Sequence, residues 1–378
     1  MAPSPPPVMG AAMSDARAMP LPPAVVRTDA SVSRGLGHLM RCRALATGWM
    51  ARGGPFTFAT TETPDDLLKS IRKDGCGIRV GPSGPSVETE LAWFVPWLKE
   101  MDRPVVFLDG YDFDLKYQCA IRSWVRCLVC LDDVPGRRFE CDVLLNQNLG
   151  VVAEDYDSLV MPSTTVLVGP RYALLPADCC AYAGQYRVHG SPGKVLVTLG
   201  GSDEADHTAR VLGELASLAG IEMDVVLGPM YPHGNPVSRI RGLDPGRIHI
   251  HRGVGRLLDL AARADLAVTA GGSTVWELAC LGIPMVVLGT AANQDAVLRG
   301  MRAEQAALVL GPMQSLSPGE IAEAVRSLLA APSRLQDLSR AASRLVDGHG
   351  VERVIEVIEG ILARSVSCPD ASTGLVKS

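Results

Sequence analysis

Residues 271–274 read Gly-Gly-Ser-Thr, between the apolar run DLAVTA and the helical stretch VWELACLG. A strand that enters a helix through two glycines lets backbone approach a ligand closely, and the free amides of the first helical turn suit an anion such as phosphate. Ser273 stands where a hydroxyl caps a helix. Glu277 follows one turn later, where a carboxylate can accept hydrogen bonds from two vicinal hydroxyls; complementing the helix dipole is the competing reading. A second turn of this kind, Gly200-Gly201-Ser202-Asp203, follows KVLVTL, and Asn293 and Gln294 follow IPMVVLGT. One glycine turn carries little information, but two at the carboxyl ends of strands in one parallel sheet face the same cleft. Neither spells G-x-G-x-x-G with an acid about 20 residues on, so a dinucleotide redox cofactor is the weaker reading.

The first half of the chain offers a base. Gly35-Leu36-Gly37-His38 follows the run AVVRTDA. At a helix start the imidazole of His38 faces the positive end of the dipole, which favours the neutral form a general base needs. Arg34 and Arg41 flank it and could neutralise a leaving anion.

The elements that position these residues follow from apolar runs of strand length alternating with longer helical stretches, the pattern of parallel sheets with crossover helices. VVRTDA, PFTFATT, VVFLDGY, RCLVCLDD and DVLLNQN read as strands of a first series. KVLVTL, MDVVLGP, RIHIHRGV, DLAVTA and IPMVVLGT form a second. The expected fold is α/β, with two Rossmann-like, doubly wound domains facing a central cleft: residues 24–170 carry the catalytic side and 193–366 the ligand-binding side. A linker covers 171–192, where the rhythm lapses, with a flexible leader over 1–23 and a flexible tail over 367–378.

Composition narrows the function. Of 378 residues, 47% are hydrophobic and 20% charged, as in folded globular chains, and the net charge of -5 provides no basic field for nucleic acid. No apolar run approaches the roughly 18 residues of a membrane helix, and the Pro/Ala-rich start lacks the basic and apolar regions of a signal peptide. A soluble, cytoplasmic monomer or homodimer is expected, with no membrane partner. Ten cysteines scattered through apolar stretches read as reduced core thiols, including the Cys127/Cys130 pair within a strand. Asp132-Asp133 resembles a metal-binding acidic pair but precedes Val-Pro-Gly and reads as a turn former. No metal or other cofactor is expected. The chain is rich in Arg, Ala and Gly and poor in Lys, a compositional hint toward organisms that glycosylate small metabolites, antibiotics among them.

The segments RTDAS…GLGHLMRC, DGYDFD, CDVLLNQNLG, VGPRYALL, LGGSD, ADLAVTAGGSTVWE and ANQ, in this order, resemble the UDP-sugar hydrolase of pseudaminic acid biosynthesis and the related spore-coat polysaccharide proteins. That family is similar to a shortened form of the GT-B glycosyltransferase that builds lipid II. The likeness spans residues from about 26 to about 300. It implies a GT-B-like fold and cleavage of the anomeric bond of a UDP-sugar. His38 would activate the acceptor, Tyr111 would sit beside the anomeric carbon, and Asn293 would contact the sugar or its phosphate. Gly271, Gly272, Ser273 and Thr274 would hold the diphosphate and Glu277 the ribose. Gly37, Arg41, Asp109, Gly200, Gly201, Ser202 and Gln294 complete the expected binding set.

The hydrolases tend to read Asp-His-Tyr where this chain has Asp109-Gly110-Tyr111. A missing side chain at 110 implies a wider acceptor side, which tilts the reading to a glycosyltransferase with a small soluble acceptor, such as a sugar hydroxyl or a nucleobase nitrogen. The alternatives are a UDP-sugar hydrolase, with water as acceptor, and a nucleotide-sugar 2-epimerase, which would need one of Asp109, Asp112 and Asp114 to take the C2 proton. A binding module without catalysis is a further reading.

Overall fold

The computed structural model describes residues 20–31, 34–188, 193–240 and 244–367. The first half contains β1 (Ala24–Thr28), α1 (Gly37–Ala51), β2 (Phe56–Thr60), α2 (Asp65–Lys73), β3 (Gly77–Val80), α3 (Val87–Glu100), β4 (Val105–Asp109), α4 (Leu115–Arg122), β5 (Cys127–Leu131), β6 (Val143–Asn146) and β7 (Thr165–Val168). These strands form one parallel sheet in the order β3-β2-β1-β4-β5-β6-β7. The second half contains β8 (Lys194–Thr198), α5 (His207–Leu215), β9 (Glu222–Leu227), β10 (Ile248–Arg252), α6 (Leu257–Ala261), β11 (Leu266–Ala270), α7 (Thr274–Leu281), β12 (Met285–Gly289), α8 (Asp295–Ala303) and β13 (Leu308–Pro312), followed by α9 (Glu320–Leu329), α10 (Pro332–Leu345) and α11 (Gly350–Ser367). Its sheet is also parallel, ordered β10-β9-β8-β11-β12-β13. The two doubly wound halves expected from the apolar rhythm are present.

The central strands β1, β4, β5, β11 and β12 are buried along their whole length, because helices cover both faces of each sheet. Three strands escape the sequence reading. β3, β7 and β13 lie at the sheet edges, where Gly77, Val80 and Pro312 are exposed and most of Thr165–Val168 is only half-buried, so none shows the fully buried apolar pattern of a central strand. Cys42, Cys76, Cys127, Cys130 and Cys280 lie buried as expected, whereas Cys119 on α4 is exposed and is not a core thiol.

The order of each sheet reverses direction at one place, between β1 and β4 in the first half and between β8 and β11 in the second. Ligands in open parallel sheets bind outside such a switch point. The loops that leave these four strands carry His38, Tyr111, Gly200-Gly201 and Gly271-Gly272, which is why four motifs far apart in sequence share one cleft.

The chain does not divide at the boundaries read from the sequence. Helix α11 returns to the first half: Val351, Val354, Ile355 and Ile358 join the core of the first sheet with Leu45, Trp49 and Phe107. Gly48 permits this, since a Cβ there would lie 2.4 Å from Val351 Cγ1. Residues 189–192 of the expected linker lie outside the described residues; in the rest Ala173, Leu175, Cys179 and Tyr186 are buried in the core around α7. Within the expected leader, residues 1–19 lie outside the described residues, whereas Leu21 is buried. Residues 368–378 of the expected tail also lie outside the described residues. Among the described residues no helix is long and apolar enough to cross a membrane.

Candidate active site

His38 lies in the first turn of α1 and points its Nδ1 at Asp109 Oδ1, 2.6 Å away at the end of β4. The carboxylate is fully buried, and its contact assigns the imidazole proton to Nδ1 and leaves the basic lone pair on Nε2, the arrangement of a base held by an acid. One turn on, Arg41 donates to Asp109 through Nε at 2.7 Å and to Asp133 through Nη1 at 2.7 Å. Burial pushes the Asp109 carboxyl up, but the Arg41 guanidinium and then His38 outweigh it and hold the group below the usual carboxylate range. Asp133 is depressed by the same two partners against its own burial. Two carboxylates and one guanidinium carry a net charge of minus one, which an imidazolium would cancel.

The Tyr111 hydroxyl donates to Asp133 Oδ2 at 3.1 Å and its ring meets His38 edge-on at 5.3 Å between centroids. Burial, and then Asp133, raise the phenol to about 12, so it stays protonated at neutral pH. From the other half, Asn293 Nδ2 donates to the Tyr111 oxygen at 3.2 Å. The halves also meet where a Cβ on Gly37 would lie 3.5 Å from Ser273 Oγ, and where a Cβ on Gly201 would lie 2.7 Å from Leu36. His38, Arg41, Asp109, Tyr111 and Asn293 thus converge, and the start of α7 faces the start of α1.

Several expectations change. Arg41 is buried and committed to two carboxylates, so it positions Asp109 rather than binding a leaving anion. Arg34 is tied to Glu62 and Asp112. Ser273 has helical backbone angles and makes no capping bond; α7 begins after it at Thr274. Gly271 is small because a Cβ would lie 2.3 Å from Leu298 Cδ1 on α8, so its need is packing. Gln294 turns back on Thr290, accepting its amide at 2.9 Å. Gly200, by contrast, uses the freedom of glycine, with φ +96°. Asp133 is no turn former but a member of the buried cluster, bound to Arg41 and Tyr111. A Cβ on Gly110 would point at the Phe113 ring, 3.0 Å away, so the absent side chain makes room for a buried phenylalanine and not for an acceptor. Of the acids a 2-epimerase would need, Asp112 is paired with Arg34, Asp114 caps α4 through the Tyr117 amide at 2.8 Å, and Asp109 is buried.

Glu277 projects from the first turn of α7, half-buried, with no hydrogen bond or ion pair among the described residues. Burial, with Asp178 adding to it, lifts its carboxyl to about 7. Asp178 pairs with Arg256 at 3.0 Å, and Arg256 borders a cavity of about 560 Å³ at the end of β10, lined also by Ile250, His251, Arg252, Val254, Gly255, Asp259 and Leu260. Sequence reading passed over this cavity, although Gly253 and Gly255 repeat the glycine-turn signal after a strand.

Two parallel doubly wound domains whose ligand edges oppose each other define the GT-B fold. No family model matches the chain. It is 26% identical over 344 residues to the spore coat polysaccharide biosynthesis protein SpsG of Bacillus subtilis (strain 168), covering 89% of this chain and 98% of the relative. It is 27% identical over 162 residues, 42% of this chain and 44% of the relative, to the UDP-N-acetylglucosamine--N-acetylmuramyl-(pentapeptide) pyrophosphoryl-undecaprenol N-acetylglucosamine transferase of Exiguobacterium sp. (strain ATCC BAA-1283 / AT1b). The solved structure of the spinosyn rhamnosyltransferase SpnG superposes with a TM-score of 0.63 at 15% identity, over 89% of this chain and 100% of that one. The structural neighbours share this two-domain GT-B fold, and the relatives are similar to the chain at 26–27% identity.

The close approach at Gly201 gives a first test of the seam. Gly201→Ala should wedge Leu36 away at a cost of about 1–3 kcal/mol to the closed arrangement. Scattering in solution should then show a more open molecule. An unchanged profile, with unchanged ligand affinity, would mean that the seam yields freely.

Proposed function

We propose that the protein transfers a glycosyl group from a UDP-sugar to a small soluble acceptor, releasing UDP. The observation that carries this reading is the meeting of a buried His38–Asp109 dyad with the start of α7 across the seam at Gly37 and Ser273. The acceptor hydroxyl or ring N–H gives its proton to His38 Nε2 as its heavy atom bonds to C1. The bond from C1 to the diphosphate oxygen breaks, and UDP leaves with the electron pair. The amides of Gly272, Ser273 and Thr274, oriented before reaction, stabilise the charge that grows on the diphosphate. Tyr111 and Asn293 border the sugar. Glu277 takes the ribose hydroxyls, with the base in the cavity at the end of β10.

A second reading, a UDP-sugar hydrolase, is favoured by Gly110, whose orientation toward Phe113 removes the argument for a widened acceptor side. Incubating the protein with UDP-sugars one at a time, with and without small acceptors, separates the two. Rapid UDP release with no acceptor sinks the transferase, and no release under any condition sinks both.

Glu277 supplies a pH test with a definite sign. Its carboxyl is raised to about 7 from an ordinary 4.5. Any stability linked to it is therefore present below the ordinary value and lost as pH rises through about 7. Only the ionised form accepts two hydroxyl protons, so between pH 6 and 8 UDP affinity should rise about tenfold more in the native protein than in Glu277→Gln. Calorimetric titration of both proteins with UDP measures it, and parallel pH profiles would remove Glu277 from the ribose.

A further inference from the structure

We propose that Asp133 is a positioning residue that anchors the seam between the halves, holding Tyr111 and the segment around Leu149 against α8 so that domain closure and the base cluster are coupled. The Asp133 carboxylate is buried just past the end of β5; Arg41 reaches both of its oxygens, and each oxygen takes a further partner. Oδ1 takes Arg41 Nη1 at 2.7 Å and Asn148 Nδ2 at 3.2 Å; Oδ2 takes the Tyr111 hydroxyl at 3.1 Å. Asn148 Nδ2 also lies 3.2 Å from the Asp133 carbonyl.

Two of these partners, Tyr111 and Asn148, lead to α8. A phenol has one proton, and Asp133 accepts it, so the Tyr111 oxygen presents only lone pairs to Asn293 Nδ2 at 3.2 Å. The direction of the chain is therefore fixed, from the Asn293 amide to the Tyr111 hydroxyl to the Asp133 carboxylate. Asn293 sits two residues before α8 begins. On the other branch, Leu149 follows Asn148 and packs onto α8 where the helix has a glycine: a Cβ on Gly300 would lie 2.6 Å from Leu149 Cβ. Gly150 approaches the Ala296 carbonyl in the same way, 3.7 Å from its own would-be Cβ. The two ends of α8 are thus touched by residues fastened to one carboxylate, and that carboxylate shares Arg41 with Asp109, the partner of His38.

Tyr111 has little else to hold its ring. Its side is half exposed, and the loop is clasped at the carbonyls of Gly110 and Tyr111 by Arg137, at 3.2 and 3.1 Å, which fixes the backbone but not the ring torsion. Swinging the halves apart breaks the Asn293 bond and leaves the ring that borders His38 held at its hydroxyl by Asp133 alone; closing them restores the second tie.

The test has an arm that needs no turnover and an arm that rests on the function proposed above. Hydrogen exchange is followed in the free, full-length protein for native, Tyr111→Phe, Asp133→Asn and the double variant. Tyr111→Phe leaves every buried charge in place, so it reports on the relay even if Asp133→Asn folds poorly. Exchange around residues 290–300 should quicken by about two- to tenfold in each single variant, the range one net hydrogen bond supports, and no further in the double variant. In the second arm kcat falls in both single variants while KM for the UDP-sugar stays within about twofold, a split that a general loss of fold does not give. Unchanged exchange at 290–300 in Tyr111→Phe, or effects that multiply in the double variant, overturns the proposal. Absence of turnover in the native protein overturns the glycosyl-transfer reading instead, and the exchange arm then decides the anchor alone.

Discussion

Replacing His38 by alanine should lower UDP release from a UDP-sugar substrate by about 10²- to 10⁴-fold, the range a positioned general base supplies, with UDP affinity unchanged within about twofold. The groups proposed to hold the nucleotide lie on α7 and at the end of β10, whereas His38 lies on α1, so the loss belongs in kcat. Asp109→Asn sharpens the test. An amide in place of the carboxylate can present N–H to Nδ1, favour the wrong tautomer and protonate Nε2, so its defect should approach that of the alanine variant although His38 is untouched. Rates within tenfold of native in His38→Ala would remove the base role and leave the Gly271–Thr274 turn and Glu277 as a binding module. Initial rates of UDP release at saturating and limiting donor measure both variants.

How much of this site the sequence disclosed follows from what a residue's type can say alone. Glycine turns after apolar runs announce themselves, because a strand end that turns sharply toward a helix needs glycine or a cap there, and Gly200 and Gly271 stand on either side of the switch point of the second sheet. His38 was legible from its place at a helix start. Asp133 was not, because its role is defined by Arg41, 92 residues away, and by Tyr111, 22 residues away, and no local pattern encodes a contact made by the order of strands. The same holds for Gly110. Its absent side chain is meaningful only with the direction of its Cβ, and that direction is toward Phe113. The return of α11 to the first half is also a tertiary choice: its apolar face is evident in the sequence, but which core it covers depends on Gly48 of α1. The edge strands β3 and β7 failed for a simpler reason, since half-exposed strands lack the apolar signal by which central strands are found.

Arg41→Ala should cost about 3–5 kcal/mol of stability in the first half, because it strips the counter-charge from two buried carboxylates at once. The sign with pH identifies the cause. Asp109 and Asp133 are held below the usual carboxylate range chiefly by Arg41 against burial. Their contribution is therefore present above the ordinary carboxyl value and disappears as pH falls through the depressed one. Without Arg41 both carboxyls rise and can protonate, so the gap between native and variant should be widest near pH 7 and should narrow steadily toward pH 4. Neutralising the cluster by Arg41→Met with Asp109→Asn and Asp133→Asn should recover much of the stability, since an isosteric uncharged set avoids the desolvation of three charges, while turnover stays low for want of the His38 partner. Calorimetric unfolding across that pH range reads the whole series. If Arg41→Ala instead melts with the native protein at every pH and loses only UDP affinity, the guanidinium reaches the diphosphate after all, and the buried cluster does not hold His38 in the manner its distances imply.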